Sequence, residues 1–180
     1  HKSGVVIIDF GSSWFNNKKM YSYIQSRFYR APEILLGVPY NYAIDMWSLG
    51  CILLELHIGF PIFAGESEKE LMGLIMEMRG VPPINLLEEA TRLDLFFDKN
   101  LNPQPVKIKG KTLRPNSVSL HSFIEPKEKN FVKFIDAWLH WDPELRLTPD
   151  EALRHDWILE GIPENIQNDY FLCTYKSFKL

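Results

Sequence analysis

Asp9-Phe10-Gly11 stands near the start of the 180-residue sequence, and Tyr21-Ser22-Tyr23 and Ser26-Arg27-Phe28-Tyr29-Arg30-Ala31-Pro32-Glu33 follow it across a short polar loop. A carboxylate is a hard oxygen ligand of the kind magnesium takes. A phosphorylated tyrosine carries roughly −1.5 to −2 charge, for which guanidinium groups are bidentate partners. Arg27 and Arg30 lie four and seven residues beyond Tyr23, within reach of a loop that folds back. An acidic metal ligand, a modifiable loop and a closing Ala31-Pro32-Glu33 in this order point to phosphoryl transfer. The competing reading leaves the two arginines solvated or paired with Glu33 or another acid, with the tyrosines merely packed.

The elements that would position these groups follow from local patterning. Val5-Val6-Ile7-Ile8 is a β-branched run that predicts a buried strand ending at Asp9, aiming its carboxylate. Residues 12–30 have no sustained period and predict an ordered or switchable loop, and Pro32 discourages helix just before it. Residues 41–58 are apolar on almost every face, with Asn41 as N-cap and Gly59 and Pro61 as the stop, which predicts a helix at a domain centre. Asp45 sits near its start, where a carboxylate without partners would be costly, so backbone donors are expected around it. Ser67-Glu68-Lys69-Glu70 reads as a capping box, and Leu71, Leu74, Ile75 and Met78 then recur at helical spacing until Gly80. Residues 100–118, rich in Pro, Lys, Asn and Gly, predict an exposed loop where mobility peaks. Phe131, Phe134, Ile135, Trp138 and Leu139 form another helical stripe, and Thr148-Pro149-Asp150-Glu151 opens a last helix with a second capping box.

Composition narrows the function classes. Apolar residues make up 46% of the sequence and aromatic residues 13%, enough for a real core in one domain. With 20 basic against 23 acidic side chains the net charge is −3, so no bulk positive field calls for nucleic acid or an anionic membrane. Cys51 and Cys173 make neither a disulfide framework nor a metal-ligand spacing, which fits a cytoplasmic or nuclear compartment. The longest apolar run is too short to span a bilayer, and no signal-peptide pattern opens the sequence. His57, His140 and His155 are at no metal-ligand spacing and are assigned to packing or surface positions.

Three stretches together carry a family resemblance: Ile8-Asp9-Phe10-Gly11-Ser12-Ser13, residues 21–33, and Ile44-Asp45-Met46-Trp47-Ser48-Leu49-Gly50-Cys51-Ile52. They resemble the dual-specificity tyrosine-regulated kinases (DYRK) of the CMGC group. The Tyr-x-Tyr pair and the Gln-Ser-Arg-Phe-Tyr-Arg run are narrower signatures than Asp-Phe-Gly alone. Trp141-Asp142-Pro143 through Arg146, and Ala152-Leu153-Arg154-His155 to Trp157, resemble the end of a kinase C-terminal lobe. The implied fold is the mainly α-helical C-terminal lobe of a two-lobed α+β kinase, with residues 1–159 a partial kinase domain and 160–180 a tail. The Gly-rich loop, the strand lysine with its helix glutamate, and the His-Arg-Asp loop of a complete kinase do not occur in the sequence. The expectation is a fragment that begins inside the C-terminal lobe, does not catalyse alone, and leaves an apolar face of the helix at 41–58 uncovered. Trp14 and the Lys-rich stretch near residues 107–111 depart from common family wording and leave the subfamily open.

The resemblance also implies roles. Asp9, with Phe10 and Gly11, would position magnesium and ATP, and Phe10 is a packing residue in either reading. Tyr23 would be autophosphorylated and held by Arg27 and Arg30, whereas substrates would be protein Ser or Thr, with Arg upstream and Pro directly after the acceptor. Ser26 would tether the catalytic loop, against the alternative of an exposed loop serine. Asp45 would anchor that loop from its helix. Glu55 would bind the upstream arginine, against the alternative of a rim carboxylate with a local partner. Glu33 and Arg146 would form a buried structural ion pair. A pseudokinase or docking scaffold is the competing function.

Overall fold

The computed structural model describes residues 6–13 and 24–163. Seven α-helices occur among the described residues: α1 (Pro32–Leu36), α2 (Ala43–Ile58), α3 (Glu68–Arg79), α4 (Ile84–Glu88), α5 (Lys129–Trp138), α6 (Pro149–Ala152) and α7 (Asp156–Glu160). The sheet is a two-residue antiparallel ladder, β1 (Lys107–Ile108) with β2 (Lys111–Thr112), pairing Lys107 with Thr112 and Ile108 with Lys111. The mainly helical architecture implied by the resemblance is the one observed.

The core is built around α2. Ile44, Trp47, Cys51 and Leu54 recur every three or four residues and are buried. Trp47 stacks on Phe63, with ring centroids 5.8 Å apart. On its other flank α2 crosses α5, whose stripe of Phe131, Phe134, Ile135 and Trp138 is buried as the spacing predicted. Gly50 permits that crossing, because a Cβ there would lie 2.6 Å from Cβ of Trp138. The helix begins at Ala43, one residue later than an Asn41 N-cap implies, while Asn41 Oδ1 accepts the Ala43 amide at 2.8 Å. Gly59, at φ 87°, ends it in the left-handed conformation that glycine adopts without steric penalty. A third side of α2 is uncovered, with Leu49, Ile52 and Leu56 exposed.

Both capping signals mark helix starts. At α6, Thr148 Oγ1 accepts the Glu151 amide and Glu151 Oε2 accepts the Thr148 amide, the reciprocal box. At α3, Ser67 Oγ accepts the Glu70 amide, but Glu70 Oε2 turns to the amide of Glu66 rather than that of Ser67.

One expectation requires correction and another a refinement. Val6, Ile7 and Ile8 form no strand and are 77–78% exposed, because no neighbouring strand among the described residues completes their hydrogen bonds. Residues 100–118 are mostly exposed, as expected, but they are anchored to α3. Val106 is buried against α3, the Asn116 and Val118 amides donate to the Met76 and Glu77 carbonyls, and Lys111 pairs with Glu77 at 2.8 Å. Gly73 is the reason for the fit: its missing Cβ leaves room for Val106 and Leu113.

Candidate functional site

Residues 24–33 form a strap across one end of α2, and Gln25 is its hub. Its backbone is left-handed, φ 64°, a sparsely populated conformation for a residue with a Cβ. The side chain fixes that conformation. Nε2 donates to the Ile44 carbonyl at 2.9 Å and to Ser48 Oγ at 2.8 Å, while Oε1 accepts the Ala31 amide at 2.9 Å. Ser48 Oγ in turn donates to the Tyr29 carbonyl at 2.7 Å. The strap is therefore laced to α2 at both ends by two uncharged side chains. Neither carries a local functional signature: a left-handed backbone at a non-glycine residue leaves none, and Ser48 reads as a single polar position in an apolar helix.

Arg30 is 1% exposed and lies inside the strap. Its Nε donates to the Ile24 carbonyl at 2.9 Å, its Nη2 to the Gln25 carbonyl at 3.0 Å, and its Nη1 pairs with Glu68 Oε1 at 3.0 Å. Arg27 donates to the Glu66 carbonyl, so both arginines reach the segment that opens α3. Another acid thus partners Arg30, as the competing reading had allowed. Tyr21 and Tyr23 lie outside the described residues, and so does Trp14.

Tyr29 donates its hydroxyl to Glu55 Oε2 at 2.7 Å. That hydrogen bond, then burial, raise the Tyr29 pKa above 10.0, so the hydroxyl stays a donor at any physiological pH. Glu55 is half-buried on α2, oriented by this bond. Ser26 is exposed, and its hydroxyl makes no hydrogen bond among the described residues.

Asp45 differs from expectation. It lies at the exposed start of α2, with no backbone donor on its carboxylate among the described residues, and partial desolvation by the surrounding protein raises its pKa. Phe10 is also corrected: it is 67% exposed rather than packed. Asp9 is exposed in left-handed backbone, φ 63°, ahead of the 3-10 turn Phe10–Ser12, and lies well apart in sequence from the strap. Its solvent-facing carboxylate fits one ligand position of a magnesium ion, since the ion takes hard oxygen donors and keeps several waters.

Glu33, the last residue of the strap, meets Arg146. Arg146 Nη1 and Nη2 donate to the two Glu33 oxygens at 2.6 and 2.7 Å, both side chains being fully buried. The remaining Arg146 donors go to the carbonyls of His140, Ala43 and Trp141 at 2.8, 3.0 and 3.2 Å. The guanidinium also lies 5.2 Å over the Trp47 ring. This pair joins α1 to the turn before α6 across the end of α2.

Residues 1–158 match the family model described as the protein kinase domain. Over 158 residues, 87% of the chain, the sequence is 48% identical to the DYRK-family kinase pom1 of Schizosaccharomyces pombe. It is 47% identical over 158 residues to human dual specificity tyrosine-phosphorylation-regulated kinase 4, and 48% over 157 residues to kinase 2 of the same series from Drosophila melanogaster. These matches cover 14%, 30% and 22% of the relatives, so the chain spans less than a third of their length. With the strap, the buried ion pair and the mainly helical core all lying within the matched residues, the chain belongs to the protein kinase family and, within it, to the DYRK branch.

Proposed function

We propose that the protein carrying this chain is an ATP-dependent kinase of Ser and Thr residues in other proteins that first phosphorylates itself on Tyr23. The observation that carries this reading is the intact order Asp9-Phe10-Gly11, tyrosine pair and residues 26–33, the last of these laced to α2 through Gln25 and Ser48. A pure scaffold has no chemical need for either the metal-binding carboxylate or the basic pair. Magnesium and ATP, when bound, supply the phosphoryl group and the neutralisation of its charge. Asp9 would be the protein's carboxylate on that metal, with Phe10 and Gly11 fixing the turn. Ser26 and Asp45, both exposed toward solvent, would contact the catalytic loop of the whole protein. The assignment of residues 1–159 to the kinase domain and 160–180 to a tail belongs to this reading, as does a cytoplasmic or nuclear location. Among the described residues no helix is long and apolar enough to cross a membrane.

Substrate selection follows from two features of the strap. Glu55, held by Tyr29, keeps a second carboxylate oxygen for an arginine ahead of the acceptor. The Gln25 carbonyl is already occupied by Arg30. An acceptor peptide laid along the strap would find no carbonyl there for the amide of its next residue, and only proline lacks that amide.

The test is phosphopeptide mass spectrometry on the full-length gene product made in bacteria, comparing the natural sequence with Asp9→Asn and Tyr23→Phe. Phosphate on Tyr23 that disappears with Asp9→Asn is the expected outcome. An unmodified Tyr23 in a well-folded protein would move the reading to a scaffold.

A further inference from the structure

Glu68 is the first residue of α3 and sits between two guanidinium groups that come from different parts of the chain. Its Oε1 pairs with Arg30 Nη1 at 3.0 Å and lies 3.4 Å from Arg92 Nη1, and its Oε2 pairs with Arg92 Nη2 at 2.5 Å. Arg92 is itself bound to the end of α1: its Nη1 donates to the Ile34 carbonyl at 3.3 Å and its amide to the Leu36 carbonyl at 3.1 Å. Next to it, Thr91 Oγ1 donates to the Gly37 carbonyl at 2.8 Å. One carboxylate therefore ties the strap, α1 and α3 into a single unit.

The consequence lies on the far side of Arg30. A guanidinium is a rigid planar fork, so fixing Nη1 on Glu68 sets where Nε and Nη2 point. They point at the Ile24 and Gln25 carbonyls, the two peptide groups next to the left-handed residue. Without the Glu68 carboxylate the guanidinium loses the anchor that sets this orientation, and a reorientation of the fork frees the Gln25 carbonyl.

We propose that Glu68 is a positioning residue for substrate selection: by holding Arg30 it keeps the Gln25 carbonyl occupied, and so enforces proline directly after the phosphoacceptor. This inference rests on the kinase reading above and on the proline preference within it. Glu68 touches neither substrate nor metal, and acts only through Arg30.

The experiment uses the full-length gene product and two peptides that differ only in Pro or Ala after the acceptor serine. The readout is the ratio of their kcat/KM values, with the KM for ATP and the melting temperature measured alongside. The expected result is a high ratio for the natural sequence that falls at least threefold in Glu68→Gln, through improved use of the Ala peptide, with the KM for ATP unchanged. A loss of packing alone would lower both peptides together and leave the ratio where it was. Should Glu68→Gln fail to fold, Glu68→Asp takes its place, since its carboxylate sits one methylene short of Arg30 and the same drop is expected. A high natural ratio that either folded variant preserves overturns the inference while leaving the kinase reading intact. A natural ratio near one removes the proline preference and the inference with it. Absence of transfer by the natural protein removes the kinase reading itself. Hydrogen exchange in that case still tests the positioning, with faster exchange expected at residues 24–31 of Glu68→Gln and unchanged exchange in α2, and no difference at 24–31 overturning it.

Discussion

Arg146 donates all five of its N–H groups within the protein, two to Glu33 and three to backbone carbonyls. A pair so fully satisfied is expensive to break and not for that reason stabilising in itself, because both charges have left water. Glu33→Gln in the full-length gene product should therefore lower unfolding free energy by about 3–5 kcal/mol, read by denaturant titration. A change under 1 kcal/mol would mean that the site relaxes around the lost charge. The same residue-scale logic separates Arg146 from Arg30. Among the described residues Arg146 is the one cation paired with Glu33, whereas Arg30 and Arg92 share the two oxygens of Glu68. The first arrangement suits a permanent joint between two residues, and the second lets one carboxylate hold two elements at once.

At the scale of elements, the helix starts carry a pH dependence. His155 caps α7 by accepting the Trp157 amide on Nδ1 at 3.2 Å, and its ring packs 4.9 Å from that of Phe134. Burial first, offset in part by Asp156, lowers its pKa below the ordinary 6.5, and protonation at Nδ1 would abolish the cap. The folded state holds fewer protons than the unfolded one in the window between the lowered value and 6.5. The contribution to stability is thus complete above pH 6.5 and is lost as pH falls through the folded pKa. Thermal melts from pH 7.5 down to 5 should show this loss in the natural protein and a smaller one in His155→Asn, which keeps a capping acceptor without a titrating ring. Equal pH slopes in the two proteins would exclude the cap as the cause. Other elements were legible from local patterns: the capping serine of α3, the box opening α6, the α5 stripe and the glycine ends of α2 and α3. The hairpin at 107–112 was not, since its anchoring depends on Gly73 and Glu77, more than thirty residues away.

For the molecule as a whole, the exposed side of α2 is an apolar surface open to solvent. Leu49, Ile52 and Leu56, the last 77% exposed, follow one another along the helix beside an apolar groove lined by Met46, Leu53, Trp138, Leu153 and Trp157. A contiguous uncovered surface of this kind associates in water. Residues 1–180 produced alone should self-associate or bind an apolar dye, and Ile52→Lys with Leu56→Lys should shift the chain toward monomer in size-exclusion chromatography with light scattering. A monodisperse, cooperatively melting monomer from the natural residues 1–180 would contradict this.

The sequence by itself determined the family and most of the helices, because Asp-Phe-Gly, the Gln-Ser-Arg-Phe-Tyr-Arg run, capping pairs and helical stripes are written within a few residues of one another. It also named Glu33 and Arg146, through the resemblance. Only the tertiary structure decided which acid Arg30 meets, that Gln25 is left-handed and pinned to Ile44 and Ser48, and that Val6, Ile7 and Ile8 are not a strand. The reason is physical: an ion pair or a strand needs a partner delivered by the path of the chain, and Glu68 lies 38 residues from Arg30 and 24 from Arg92. Charge and propensity are properties of a residue, but pairing is a property of the fold.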